Sequence, residues 1–558
     1  MKRRDFIRTA AGSAACLGLS GMAHAGDEPA FDLVIRGGTV LDGLGSPGAA
    51  ADVGIRDGRI AAVGRLSGAK ASTVLDAAGR VVCPGFIDIH SHTEAGSLLI
   101  NKKGESMIRQ GVTTEVSGNC GGSSFPLKPH EPGDERRLFR EAGIEVDWTD
   151  LDGFLARLRK EGLIYNFATL VGQGTIRSLV MGEARRPPTA AEMEAMKALV
   201  QSAMEQGAFG LSTGLEYTPS GFASVEEVVE LAAVAGRFGG FYATHMRSED
   251  TLLVEATAEA LHISEAAGLP LQISHFKTCA STNWWKQPML LDLVERAAAR
   301  GVKVTADRYP YTAYNTGLAV NFPQRALDGG SEELVKRLKD PEERRKLKDE
   351  TLEKLKGTAW DDILLVDFRR PENQGLVGKT LGQVAAERGA DPYDLLCDLI
   401  VSEDGNVSYI GFGMSEEQTL EILRHPLTML CSDGAALAPY GLLSGGMPHP
   451  RNYGTFPRFL GLYVREKRAL SLPEAVKKMT SMPAAKLGLK DRGVLRRGYW
   501  ADLVVFDPAT IADRATYTQP EQYPVGIDQV IVNGRIVLDR GRTTDVYPGL
   551  PLIGPGRK

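Results

Sequence analysis

The sequence predicts an α/β fold: a (β/α)8 TIM-like barrel, a small β-sandwich built from both chain ends, and a helical insertion between strands seven and eight. Three observations lead there. The middle of the chain alternates strand-like and helix-patterned runs, the βαβα order that builds a parallel sheet. Both ends are instead β-rich and cut by Gly and Asp-Gly turns. Residues with metal-binding or acid/base chemistry recur where the predicted strands end, the face on which such a barrel carries its function.

In chain order, residues 1–25 stand apart. "MKRRDFIR" sets the twin arginines Arg3 and Arg4 ahead of "TAAGSAACLGLSGMAHA", a small-residue apolar run too short to span a bilayer and closed by Ala23-His24-Ala25. This pattern reads as a twin-arginine signal peptide, so the expected partner is the twin-arginine export machinery and the expected destination the bacterial periplasm or beyond. Cys16 follows Ser13-Ala14-Ala15, a poor context for lipid attachment. No later apolar run reaches about 18 residues, so no stable membrane insertion of the mature chain is expected.

Residues 26–84 supply the N-terminal part of the sandwich through "FDLVIRGGTVLDG", "ADVGIRDGRIAAVG" and "TVLDAAGRVVCPG", and residues 486–558 answer with "ADLVVFDP" and "QVIVNGRIVLDRG". The barrel takes 85–485, its candidate strands falling at 81–90, 111–118, 164–171, 207–213, 240–245, 270–275, 302–307 and 427–432. The long gap before the eighth strand gives an insertion at about 312–426. It contains "EELVKRLKDPEERRKLKDETLEKLKG" (332–357), a charge-dense helical run interrupted by Pro341 and expected to face water, as mixed-sign runs usually do.

Bulk composition excludes some partners. The 558 residues are 43% hydrophobic and 24% charged, with 65 Lys+Arg against 70 Asp+Glu and a net charge of −5, so nothing calls for nucleic acid. Beyond Cys16 the cysteines are Cys83, Cys120, Cys279, Cys397 and Cys431, an odd number at wide spacing that argues against a disulfide scaffold.

The chemistry begins at "VVCPGFIDIHSH". In an extended strand residues i and i+2 face the same side, so His90 and His92 converge on one spot. Later strand ends carry Cys120 in "SGNCGG", "GLSTGLEY", His245 in "THMRSE", His275 and Lys277 in "SHFK", Tyr309 in "DRYPY" and Asp433 in "CSDG". Each alone has an ordinary reading, a satisfied histidine or a small buried cysteine. Together they form a ring. Imidazole, thiolate and carboxylate at low coordination suit zinc, with a position left open for water or substrate. Asp433 is placed to take a proton from that water and deliver it to a leaving nitrogen, which is amide hydrolysis.

These motifs, with "PHPRNYGTFPRFLG" at 448–461, resemble the amidohydrolase superfamily in its D-aminoacylase (N-acyl-D-amino-acid deacylase) branch, over nearly the whole mature chain. The resemblance implies a tight zinc site at Cys120, His245 and His275, and a second, weaker metal position at His90, His92 and Asp433. It makes Asp433 the catalytic acid/base. Lys277, Tyr309 and Arg451 correspond to groups that hold the α-carboxylate of a small-molecule substrate, and an Arg fork suits a carboxylate. Two departures stand out. "GLSTGLEY" offers no Lys to bridge two metals, which favours one zinc, and "GAALAPYGLLSGGM" between Asp433 and Arg451 is long and is expected to line the pocket. The implied activity is release of D-amino acids from N-acyl-D-amino acids. Alternatives are an L-Xaa-D-Xaa dipeptidase with the same site, a cyclic-amide hydrolase of the hydantoinase kind, and a non-catalytic scaffold.

Overall fold

A computed structural model describes residues 30–127 and 134–558, so the signal-peptide reading of 1–25 lies outside the described residues. Eight parallel strands make the barrel: Phe86–Asp88, Val112–Ser117, Asn166–Thr169 continued by Val171–Gly172, Gly210–Gly214, Phe241–His245, Leu271–Ile273, Val304–Arg308 and Thr428–Leu430. The third is interrupted at Leu170. Its first half pairs with the second strand and its second half with the fourth. The seam between the eighth strand and the first closes through Ser432 N–H to the Asp88 carboxylate (2.9 Å), Asp433 N–H to His90 O (2.9 Å) and His92 N–H to Gly434 O (2.6 Å).

Amphipathic helices cover the barrel. Ala190–Gln206 begins with a capping box between Thr189 and Glu192 and stops at Gly207, and it turns Met196, Val200 and Met204 onto the strands. Among the described residues no helix is long and apolar enough to cross a membrane. Cys83, Cys120, Cys279, Cys397 and Cys431 are all free thiols, in keeping with their unpatterned spacing.

Strands from the two chain ends share one nine-stranded sheet of the β-sandwich. They meet where Val81–Pro84 runs antiparallel to Leu503–Phe506 and parallel to the end of Phe31–Val40. Leu33, Ile35 and Val53 from one end pack with Leu503, Val505 and Ile531 from the other. The apolar run predicted as one strand at 81–90 is therefore two strands in two sheets. Gly85 divides them, because it lies against Thr113, where a Cβ would come within 2.1 Å of the hydroxyl, and its N–H donates to Asp502 O (2.8 Å).

The insertion corrects one expectation and adds detail to two others. It is not only helical: Tyr314–Gly317, Ile363–Asp367 and Ser408–Gly411 form an antiparallel sheet, packed with the surrounding helices on a core that includes Phe322, Leu365 and Leu396. The helical run is interrupted at Pro341 as expected, and the same residue opens the next helix. It is the first residue of Pro341–Lys354, capped by the Asp340 carboxylate, after Ser331–Lys339 has ended. The charged run also does more than face water, since Lys354 Nζ reaches Glu216 Oε1 at 3.3 Å.

One buried polar knot ties the sandwich to the barrel. Asp502 pairs with Arg492 and accepts from Asn166 Nδ2 (3.2 Å) and Asn533 N–H (2.8 Å), while Asn533 Nδ2 donates to Asn166 Oδ1 (2.9 Å). Removing one partner of a buried ion pair leaves the other uncompensated. Asp502→Ala is expected to cost about 3–5 kcal/mol in chemical denaturation; a loss under about 1 kcal/mol would show that the knot is not what joins the two parts.

Candidate active site

The C-terminal ends of the strands bring the predicted ligands together. Cys120 Sγ lies 3.4 Å from His275 Nε2, 3.9 Å from His245 Nδ1 and 3.4 Å from His90 Nε2, and the two nitrogens of His245 and His275 are 3.1 Å apart. Asp433 Oδ1 lies 3.0 Å from His92 Nε2 and 3.3 Å from His90 Nε2. Donor atoms thus fall into two compact groups, Cys120 with His245 and His275, and Cys120 with His90, His92 and Asp433. The thiolate belongs to both.

Backbone and charge both mark this as a purpose-built place. Cys120, His275 and Asp433 all have positive φ (50°, 34° and 51°), a conformation that side chains other than Gly adopt at a cost of about 1–3 kcal/mol. Burial alone would push the Cys120 thiol up, yet His90, His275 and a hydrogen bond to His245 hold it well below the ordinary thiol range. Burial likewise opposes protonation of the imidazoles, but Asp433 and Cys120 carry His92 up to about 9, and Glu249, Cys120 and Glu216 carry His245 up to about 10. Asp433, despite its burial, is held well below the usual carboxylate range by Arg451 and by His275, His90 and His92. The centre sets an ionised thiolate and carboxylate among imidazoles that hold their protons, and a divalent cation fits the same nitrogen and sulfur donors.

Three carboxylates that the sequence reading left without a role orient the imidazoles from behind. Glu249 Oε1 lies 3.0 Å from His275 Nδ1, Glu216 Oε2 3.2 Å from His245 Nε2, and Asp307 Oδ1 3.3 Å from His90 Nδ1. The Glu216 contact is a hydrogen bond that turns His245 Nδ1 to the centre, and the other two are close charge contacts to His275 and His90. All three lie inside stretches already singled out, "LEY", "THMRSE" and "DRYPY", but a carboxylate's direction cannot be read from its place in a motif.

Next to the centre a cavity of about 210 Å³ opens beneath the insertion, and Lys277, Tyr309 and Arg451 line it with Asp433. Arg451 Nη1 donates to Asp433 Oδ2 (2.6 Å), and Lys277 Nζ sits on Glu249 Oε2 (2.5 Å) and His275 Nδ1 (2.8 Å). Tyr309 packs under the guanidinium of Arg451, 5.1 Å from ring centroid to Cζ. The Gly434–Met447 loop was expected to line this pocket and does not, among the described residues. Hydrogen bonds from Ala436 N to Thr93, Leu437 N to Ser106 and Tyr440 Oη to Glu105 draw it away toward the helix Glu105–Ile108.

The amidohydrolase family model matches residues 73–344 and 367–538. The D-aminoacylase of Alcaligenes xylosoxydans xylosoxydans is 38% identical over 526 residues, 94% of this chain and 98% of its own. The chain is a member of the amidohydrolase family, in its D-aminoacylase branch. This amidohydrolase is also similar to two solved structures. The N-acyl-D-glutamate deacylase of Bordetella bronchiseptica, complexed with zinc and a phosphonate mimic of the tetrahedral intermediate, superposes with a TM-score of 0.80 at 35% identity, covering 94% of this chain and 100% of its own. A D-aminoacylase studied for its binuclear metal centre gives 0.78 at 38% identity with the same coverage. The family is one of amide-hydrolysing enzymes, and its metal-binding character agrees with the donor groups here.

Cys120→Ala is expected to abolish tight zinc binding in dialysis and metal analysis, with no loss of fold by circular dichroism. Glu216→Gln and Glu249→Gln should each weaken zinc affinity by about 10–100-fold. Because His92 and His245, up at about 9 and about 10, must release protons to bind metal, zinc affinity in the intact amidohydrolase should rise with pH between 6 and 9. An affinity flat over that range would mean that these imidazoles are not ligands.

Proposed function

We propose that this amidohydrolase releases D-amino acids from N-acyl-D-amino acids. The observation that carries the reading is a pair of unsatisfied donors. Tyr309 Oη and Arg451 Nε are buried without a hydrogen-bond partner, and both residues line the cavity beside Lys277. Buried donors of this kind are rarely left unpaired, and a substrate α-carboxylate supplies acceptors in the geometry that an Arg fork prefers. The D configuration and the N-acyl bond come from the relatives, a D-aminoacylase and deacylases named for N-acyl-D-glutamate and N-acyl-D-aspartate.

In the proposed site Cys120, His245 and His275 would hold one zinc tightly, and His90, His92 and Asp433 would offer a second, weaker position. A metal held there would supply Lewis acidity for activating water and polarising the scissile carbonyl. Lys277, Tyr309 and Arg451 grip the α-carboxylate and so fix the amide nitrogen relative to Asp433. Asp433, ionised and braced by Arg451, accepts a proton from the attacking water at Oδ1 and returns it to the leaving nitrogen. The absence of a Lys at the end of the fourth strand supports a one-zinc mechanism. The signal-peptide pattern of residues 1–25 supports export of the folded enzyme to the periplasm.

Asp433→Asn is expected to lower kcat by about 10²–10⁴-fold while the tight zinc stays bound. Activity within a few-fold of the parent would remove Asp433 from the proton shuttle. A panel of N-acetyl-D-amino acids, their L-enantiomers and L,D-dipeptides should show turnover confined to a D residue on the carboxylate side; equal turnover of the L-enantiomers would refute the assignment.

A further inference from the structure

The three carboxylates behind the imidazoles are not held alike. Asp307 is fixed by groups of the barrel, Gln272 Nε2 (2.6 Å) and the His275 N–H (2.6 Å), and Glu249 by Lys277 Nζ (2.5 Å), also of the barrel. Glu216 is held from outside it. One oxygen, Oε2, accepts from His245 Nε2 at 3.2 Å, while Oε1 meets, at 3.3 Å, the Nζ of Lys354, the last residue of the insertion helix Pro341–Lys354. One member of the tight donor group is therefore linked to the insertion through a single carboxylate.

Both ends of this link are fixed in place. Leu355, next after Lys354, is buried in the insertion core with Leu347, which sets where the lysine emerges. The backbone beyond it is gripped from the barrel: Thr282 Oγ1 donates to Lys356 O (3.3 Å) and Ser281 Oγ to Gly357 O (3.2 Å). At the other end, three successive residues after the fourth strand each meet a different piece of the insertion. Gln324 Nε2 donates to Leu215 O (3.2 Å), Lys354 pairs with Glu216, and Thr316 Oγ1 donates to Tyr217 Oη (3.3 Å). The same turn leans on His245 itself, since Leu215 N–H donates to His245 O (3.0 Å) and the Tyr217 ring lies 4.6 Å from the imidazole between centroids.

A fully exposed ion pair would matter little here, but the side chains of Lys354 and Glu216 are only 25% and 15% exposed, so water screens the pair poorly. Lys354 also lines the first cavity, where contact with substrate is the competing role. Resting on the tight zinc position proposed above, we propose that Lys354 is a positioning residue for it: from the insertion it fixes Glu216, and Glu216 aims His245 Nδ1 at the metal. Zinc binding and seating of the insertion are then coupled. The seated insertion tightens the grip on zinc, and by reciprocity a loaded site holds the insertion more firmly.

The test needs no substrate. Zinc is removed from the full-length enzyme and its affinity measured by chelator competition for the parent, Lys354→Met, Lys354→Arg and Gln324→Ala, each checked for fold by circular dichroism. Lys354→Met is expected to weaken affinity about tenfold, the low end for loss of an outer partner, and Lys354→Arg to keep it within about twofold of the parent. Gln324→Ala, which cuts another bond between the insertion and the same turn, should leave it unchanged. Amide hydrogen exchange across residues 351–358 should be slower with zinc than without in the parent, a difference that Lys354→Met removes. Unchanged affinity in Lys354→Met, or an equal loss in Gln324→Ala, overturns the proposal. So does exchange in the parent that ignores zinc, a measurement that stands even if Lys354→Met does not fold. A raised KM for N-acetyl-D-amino acids with zinc affinity intact would make Lys354 a substrate contact and overturn it as well. A parent that binds no zinc would instead sink the metal reading on which the proposal rests.

Discussion

The structure is organised around a thiolate that must be reached from two directions at once. Cys120 lies within 3.9 Å of donor nitrogens from His90, His245 and His275, contributed by the first, fifth and sixth strands. Nothing but a closed barrel brings those strand ends to one point, and nothing but closure at the Ser432–Asp88 seam carries Asp433 to the same place. The positive φ of Cys120, His275 and Asp433 is the local cost of that convergence. The surrounding fold offsets it with two buried clusters, one inside the barrel and one between strands and helices.

Around this point the polar groups are arranged in layers. Glu216, Glu249 and Asp307 hold the imidazoles, and lysines in turn hold two of those carboxylates: Lys277 on Glu249 and Lys354 on Glu216. Lys354 belongs to the insertion, not to the barrel. The insertion is thus bonded to the scaffold of the metal site as well as roofing its cavity. A change in its seating would be felt at His245 through one intervening carboxylate.

The barrel and the donor residues were legible because each leaves a periodic or positional mark. Alternation of strand and helix patterns shows the parallel sheet, and a His-x-His pair at a strand end shows two side chains on one face. Marks of that kind do not record distance between segments remote in sequence. Hence the sharing of Cys120 between both donor groups, and the backing role of Glu216 and Glu249, needed the three-dimensional structure. The run at 81–90 misled for a different reason: two strands separated by a single Gly look the same as one long strand when both are buried. In the insertion, Asp340-Pro341 is both the stop of one helix and the start of the next, and the Asp340 carboxylate caps the second. The Gly434–Met447 loop lies near Asp433 in sequence, but its backbone is bonded elsewhere.

The antiparallel pairing of Val81–Pro84 with Leu503–Phe506 bears on how the polypeptide is made. A ribosome delivers the first of these strands long before the second, so the N-terminal strands wait with an unpaired edge while the whole barrel is synthesised between them. Joining the ends closes a loop of more than 400 residues, an entropic cost that grows only with the logarithm of its length but that no local contact repays early. Completion of the sheet is therefore a post-translational event, and shortening the tail before Leu503 would leave an exposed strand edge prone to pairing with a neighbouring molecule.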